Sequence, residues 1–187
     1  INYINSENFN FDICYVDANS DKNILPKKHA GVGLTRKIGA DLILQYSSKN
    51  SIICYTDADS ILSDNYLYII KEYYNQNNCG CAVVSFSHQK HIDPIIEQNI
   101  RLYEKFLSKT AEDLKAAGSP YGYISLGSCM TCTVSSYIAI GGMNKLKATE
   151  DFYFLQELTK HFGFMHHIKN IIVFPSSRIS SRVYLGT

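Results

Sequence analysis

Apolar, β-branched runs alternate with stretches of helical periodicity along most of this chain, the pattern of an α/β domain rather than of segregated halves. The run FDICYV (11–16) predicts a buried strand ending in the polar turn cluster Asp17-Ala18-Asn19-Ser20-Asp21, so its carboxyl end carries acids. Between Gly31 and Tyr46, Leu34, Ile38 and Leu42 fall on one helical face. SIICYTDADS (51–60) then rises as a strand into an acidic loop. Asp64 is placed to cap a helix running to Tyr74, with Leu67, Ile70 and Tyr74 inward. CAVVSFS (81–87) reads as a further strand. A long helix from Pro94 to Ala116 is signalled by Ile96, Ile100, Tyr103, Leu107 and Leu114, and Gly118-Ser119-Pro120 stops it. A strand over 128–134 and a short helix ending at Gly141-Gly142 follow. Thr149 is placed to cap a helix whose apolar face is Phe152, Leu155, Leu158 and Phe162, and IIVFP (171–175) reads as the last strand.

Composition narrows the class. With 187 residues, 45% of them apolar and 19% charged, the chain suits one globular domain with one substantial core. A formal net charge of +1 leaves no electrostatic footprint for nucleic acid, so any anionic ligand must be held by local charge. No apolar run approaches the roughly 18 to 20 residues that span a bilayer, and INYINSENFNFD lacks the basic and apolar regions of a signal peptide. The expectation is a cytoplasmic chain, or the soluble part of something larger whose membrane association lies in other regions. Of the six cysteines, four sit in β-like apolar stretches where a reduced thiol serves as a small hydrophobe. Cys79-x-Cys81 and Cys129-x-x-Cys132 have zinc-like spacing, but in a strand Cys129 and Cys132 face opposite ways.

Three features carry candidate chemistry. Asp57-Ala58-Asp59 directly follows an apolar strand, and open α/β sheets bind ligands in the crevice at strand carboxyl ends. Two carboxylates so spaced can converge on a hard divalent cation that keeps positions open for phosphate oxygens, although Asp is equally common as a turn residue or cap. Glu150-Asp151 opens an amphipathic helix after Gly141-Gly142-Met143-Asn144, where acids are favoured by the helix dipole and where a proton-abstracting carboxylate would also fit. Arg178 and Arg182 follow the last strand, placed either to clamp phosphate oxygens or to sit in a solvated loop. Gly31-Val32-Gly33 with Lys27, Lys28 and Arg36 looks like a phosphate-cradling loop but lacks the third glycine of a dinucleotide fingerprint. His166 and His167, adjacent in a strand, face opposite ways and cannot share a metal.

Taken in order, these motifs resemble the family-2 glycosyltransferases of GT-A fold, and a bacterial branch within them. VDANSD (16–21), AGVGLTRKIGAD (30–41), ICYTDADS (53–60), IGGMNKLKATEDFYFL (140–155) and FPSSRISSRVYLGT (174–187) carry the resemblance, which spans nearly the whole chain. It implies a single catalytic domain with a mixed, mainly parallel central sheet flanked by helices. It further implies Mn²⁺ or Mg²⁺ on Asp59, with Asp57 on the metal or the donor ribose, and Asp151 as general base with Glu150 on the acceptor side. Asp17, Arg36, Arg178 and Arg182 would serve the nucleotide-sugar donor. Inverting transfer to a carbohydrate, lipid-linked or protein hydroxyl follows. The family's first strand and helix have no counterpart before residue 11, because ten residues cannot hold elements averaging about 5 and 11 residues, so the resemblance implies a chain truncated at its start and weak in donor binding. Two rival readings are a phosphohydrolase or phosphotransferase with a D-x-D nucleophile, disfavoured by Ile61 after Ser60, and a non-catalytic carbohydrate- or partner-binding module.

Overall fold

The computed structural model describes residues 10–18, 20, 22–28 and 30–179. A five-stranded mixed sheet is built from β1 (Ile52–Cys54), β2 (Ile61–Leu62), β3 (Cys81–Phe86), β4 (Met130–Thr133) and β5 (His166–Phe174), in the spatial order β1-β4-β3-β5-β2. Its helices are α1 (Val32–Ile43), α2 (Tyr66–Asn77), α3 (Pro94–Ala116), α4 (Val134–Ala139) and α5 (Glu150–Phe162), with short 3-10 turns at Leu44–Tyr46 and Gly127–Cys129. The α/β class is as expected.

The pairing is not mainly parallel: β1 with β4, β3 with β4 and β2 with β5 are antiparallel, and only β3 with β5 is parallel. Two reversals in a row still leave β1, β3 and β5 running the same way. Their carboxyl ends therefore meet at one edge of the sheet, where the crevice rule puts a ligand. β1 is an edge strand among the described residues.

Strand alternation feeds two cores, one on each face. Ile53, Tyr55, Cys81, Val83, Met130 and Cys132 meet Ala40 of α1, Tyr137 of α4 and Phe154, Leu155 and Leu158 of α5. On the other face Ala82, Val84, Ile168, Ile171 and Val173 meet Tyr66, Ile70 and Tyr74 of α2. The Tyr74 hydroxyl lies 2.9 Å from Thr131 Oγ1, which itself donates to the Ala82 carbonyl at 3.0 Å, so this buried polar pair is satisfied. Cys129 belongs to the second core and Cys132 to the first, on opposite faces as the spacing requires.

Five local expectations are corrected. Residues 11–16 form no strand, and Phe11, Ile13, Tyr15 and Val16 are exposed, because an extended run is ordered by a partner ladder and the five described strands assemble without this one. Asp64 does not cap α2; Asn65 occupies the cap position in the left-handed region (φ 60), without a side-chain cap bond. Ile70 and Tyr74 face inward as expected, but Leu67 is 69% exposed and Tyr66 takes the third inward place, since YLYII is apolar all round and leaves the choice to packing. In α5 Leu155 and Leu158 are buried as expected, but Glu150, Phe154 and Thr159 complete the buried face in place of Phe152 and Phe162. Phe154 packs between Tyr55 (ring centroids 5.6 Å) and Tyr137 (6.1 Å), and that aromatic lock sets the helix rotation. Thr149 is left-handed (φ 60) and makes no cap bond.

The rotation of α5 is testable. Phe154→Ala is expected to lower urea-unfolding stability by about 3 to 5 kcal/mol. Phe152→Ala, at a side chain 44% exposed, should cost less than about 1 kcal/mol. The reverse order would return the helix to the rotation expected from its pattern.

Candidate functional site

The β1 strand ends at Cys54, and Tyr55 N donates to Met130 O at 3.0 Å, extending the ladder by one residue before the chain turns. Ser60 N then donates to Asp57 O at 3.0 Å, closing a tight turn that has Asp57 at its first position and Asp59 at its third. The two carboxylates leave this turn towards different arginines. Arg36 Nη2 donates to Asp57 Oδ1 at 2.6 Å, and Arg178 Nε donates to Asp59 Oδ2 at 2.6 Å.

Arg36 is the organising group. Its other nitrogen, Nη1, donates to Glu150 Oε1, so one guanidinium ties the end of β1 to the first turn of α5. The guanidinium lies flat against Gly127, where any Cβ would collide with it. Gly33, three residues before Arg36 on α1, likewise has no room for a Cβ, which would strike the Leu146 and Asn144 carbonyl oxygens. The Gly31-Val32-Gly33 segment thus serves close packing of α1 on the 144–147 loop. Asn144 holds that loop by donating from Nδ2 to Glu150 O at 3.0 Å. Before it, consecutive left-handed residues Gly141 (φ 79) and Gly142 (φ 82) turn the chain, a conformation that favours glycine.

Around Arg36 stand three acids: Asp57, Glu150 and Asp151. Burial pushes the Glu150 carboxyl above the usual range, the Asp151 charge adds to this, and Arg36 opposes it. Asp151 is also pushed up by burial first, opposed by the Phe152 N–H and Arg36, with Asp57 adding to the rise. Its Oδ1 accepts from Phe152 N at 2.8 Å. Beneath the acids, burial pushes the Cys129 thiol up to about 12; Ser128 opposes this, while the charges of Asp57 and Asp151 add to it. One fixed cation against three carboxyl groups leaves a surplus of negative charge, which protons or another cation must offset.

The structure thus gathers Arg36, Asp57, Glu150 and Asp151, and sets Asp59 with Arg178 beside them. Glu150 is 5% exposed and bonded to Arg36, so it helps position the guanidinium. Asp17 lies in the exposed segment before α1 and accepts locally from Ser20 N at 3.0 Å and Asn23 Nδ2 at 3.4 Å. Arg182 lies outside the described residues. Among the described residues no three His, Cys, Asp or Glu side chains come together as a ready-made metal cage, and none of the helices is long and apolar enough to cross a membrane. His166 Nδ1 meets the Tyr73 hydroxyl at 3.0 Å and His167 Nε2 meets Ser85 Oγ at 3.0 Å, on opposite sides of β5.

Sequence reasoning missed Gln89 and Gly127. Gln89 Nε2 donates to Asp59 O at 2.8 Å and to Phe174 O at 2.9 Å, strapping the D-x-D turn to the end of β5. The signal was its place just past the carboxyl end of β3. Gly127 offered no signal, because its necessity lies in a residue 91 positions earlier in the chain.

Fold and site together define an α/β protein with a cluster of acids and arginines at the carboxyl edge of its sheet. No known family, curated protein or solved structure matches the chain.

Two measurements check this geometry. Glu150 and Asp151, raised in the folded state, contribute stability that is whole below the ordinary carboxylate range and lost as pH rises through their folded values. Asp151→Asn should therefore be more stable than the parent at pH 7, with the difference closing below about pH 4. The Asp59–Arg178 pair is half-exposed, and such pairs contribute about 0.2 to 1 kcal/mol. Trypsin cleavage after Arg178, followed by mass spectrometry, should accordingly quicken about two- to fivefold in Asp59→Asn.

Proposed function

We propose that this chain is a metal-dependent, inverting glycosyltransferase of GT-A type that moves a sugar from a nucleotide-diphosphate donor to an acceptor hydroxyl. One observation carries the reading: Arg36 brings the D-x-D acid Asp57 together with the Glu150-Asp151 pair at the carboxyl edge of the sheet, although 93 residues separate Asp57 from Glu150 in the chain.

Asp151 is the base. It stands on the first turn of α5, only partly exposed, with its proton affinity raised by burial, which suits a carboxylate that must take a proton near neutral pH. It accepts the acceptor hydroxyl's proton as that oxygen bonds to the anomeric carbon. The bond from that carbon to the diphosphate oxygen breaks, and its electron pair leaves with the nucleotide diphosphate. Arg178, half-exposed beside Asp59, is free to turn its remaining guanidinium nitrogens to the leaving phosphates. Asp59 is 40% exposed and offers a hard oxygen ligand of the kind that holds Mg²⁺ or Mn²⁺ together with substrate phosphates, so the residues present fit such an ion without a closed cage. When bound there, the ion supplies positive charge to the leaving diphosphate. Arg36 and Glu150 hold Asp57 and the start of α5 in register, and do not touch the reacting atoms.

A non-catalytic binding module is the second reading. It is favoured by one observation, that each D-x-D carboxylate already has an arginine partner.

Calorimetric titration with UDP and with GDP, each with and without Mn²⁺, tests the first reading. Nucleotide binding is expected only with the metal, and Asp59→Ala should abolish that dependence. Asp151→Asn should keep binding and lose at least about a hundredfold of transfer. Metal-independent binding, or none, overturns the proposal.

A further inference from the structure

Just beyond β3 lies a histidine that the mechanism does not use. Glu104 Oε1 accepts the His88 backbone N–H at 2.6 Å and lies 3.0 Å from its Nδ1. An ionised carboxylate only accepts, so Nδ1 carries a hydrogen, and in the neutral ring Nε2 is then the acceptor. Arg101 fixes the same carboxylate from the other side, donating from Nη1 to Glu104 Oε2 at 2.7 Å, and it also donates to the His88 carbonyl at 2.7 Å. The ring is held against Phe86 (centroids 5.6 Å) and Tyr103 (6.3 Å). Only 14% of the side chain remains exposed, and Nε2 has no partner among the described residues. His166 and His167, by contrast, use their ring nitrogens within the fold.

Its location matters as much as its tautomer. His88 follows β3 at the edge where β1, β3 and β5 all end. The next residue, Gln89, bonds the backbone of Asp59, and the neighbouring ring, Tyr103, stands in the field of Asp151. His88 thus stands at the carboxyl edge of the sheet, next to the residue that straps the D-x-D turn and against a tyrosine that senses Asp151, within the region that a transferring sugar occupies in the reaction proposed above.

We infer that His88, oriented by Glu104, accepts a hydrogen bond through Nε2 from a hydroxyl of the donor's sugar ring, and so helps select the sugar rather than the nucleotide. This rests on the glycosyltransferase reading, and the experiment separates the two. Mn²⁺-dependent affinities for UDP and UDP-glucose, and for GDP and GDP-mannose, are measured by calorimetry on the parent chain, His88→Ala and Glu104→Gln. A neutral hydrogen bond is worth about 0.5 to 1.5 kcal/mol, so His88→Ala should weaken the nucleotide sugar roughly two- to tenfold and leave the bare nucleotide unchanged. Glu104→Gln, which preserves shape but frees the ring, should weaken the same ligand in the same direction. Equal weakening of both ligands would reduce His88 to a packing residue, and no weakening of either would remove it from the site. A parent chain that binds both ligands without preference for the sugar also overturns the assignment while sparing the nucleotide reading. If the parent binds neither ligand, both fall.

Discussion

The structure depends on one guanidinium. Arg36 reaches from α1 across Gly127 to Asp57 and Glu150, and its side chain is only 11% exposed. A buried cation is costly unless fully paired, and breaking such a pair typically costs about 3 to 5 kcal/mol. The end of β1, the start of α5 and the 3-10 turn before β4 must therefore all be in place before Arg36 is satisfied. Conversely, Asp57 and the α5 acids are positioned only while Arg36 is. The sheet sets the distance between these elements, and the ion pairs set their register.

That same dependence explains why α5 was misjudged from its pattern. Glu150 heads the buried stripe, and an acid in first place hides a stripe from any count of apolar positions. The long elements were otherwise legible: β3 and α3 fall where periodicity puts them, and α1 begins one residue from its expected start. What periodicity could not supply was pairing. FDICYV has the composition of a strand, but composition does not create a neighbour. The two-residue β2 carries too little pattern to be read at all.

The candidate site was half legible. Asp57, Asp59 and Asp151 were found because acids at strand ends and helix starts have a chemical reason to be there. Their grouping was not readable, since spacing along the chain does not tell that a turn sends Asp57 to Arg36 and Asp59 to Arg178. Gln89, His88 and Glu104 escaped because single polar residues after a strand look like any loop. Their significance comes from the parallel run of β3 and β5, which brings their ends level with the D-x-D turn.

Gly127 touches no ligand and bears no charge, but the acid strength of the cluster rests on it. A methyl group there would lift the guanidinium away from the carboxyl groups it moderates, leaving burial and mutual repulsion at Glu150 and Asp151 opposed by nearby backbone N–H groups alone. Their protons would bind more tightly, and the cluster would trade fixed negative charge for neutral acid. In this fold a steric constraint at one backbone position governs an ionic equilibrium several side chains away.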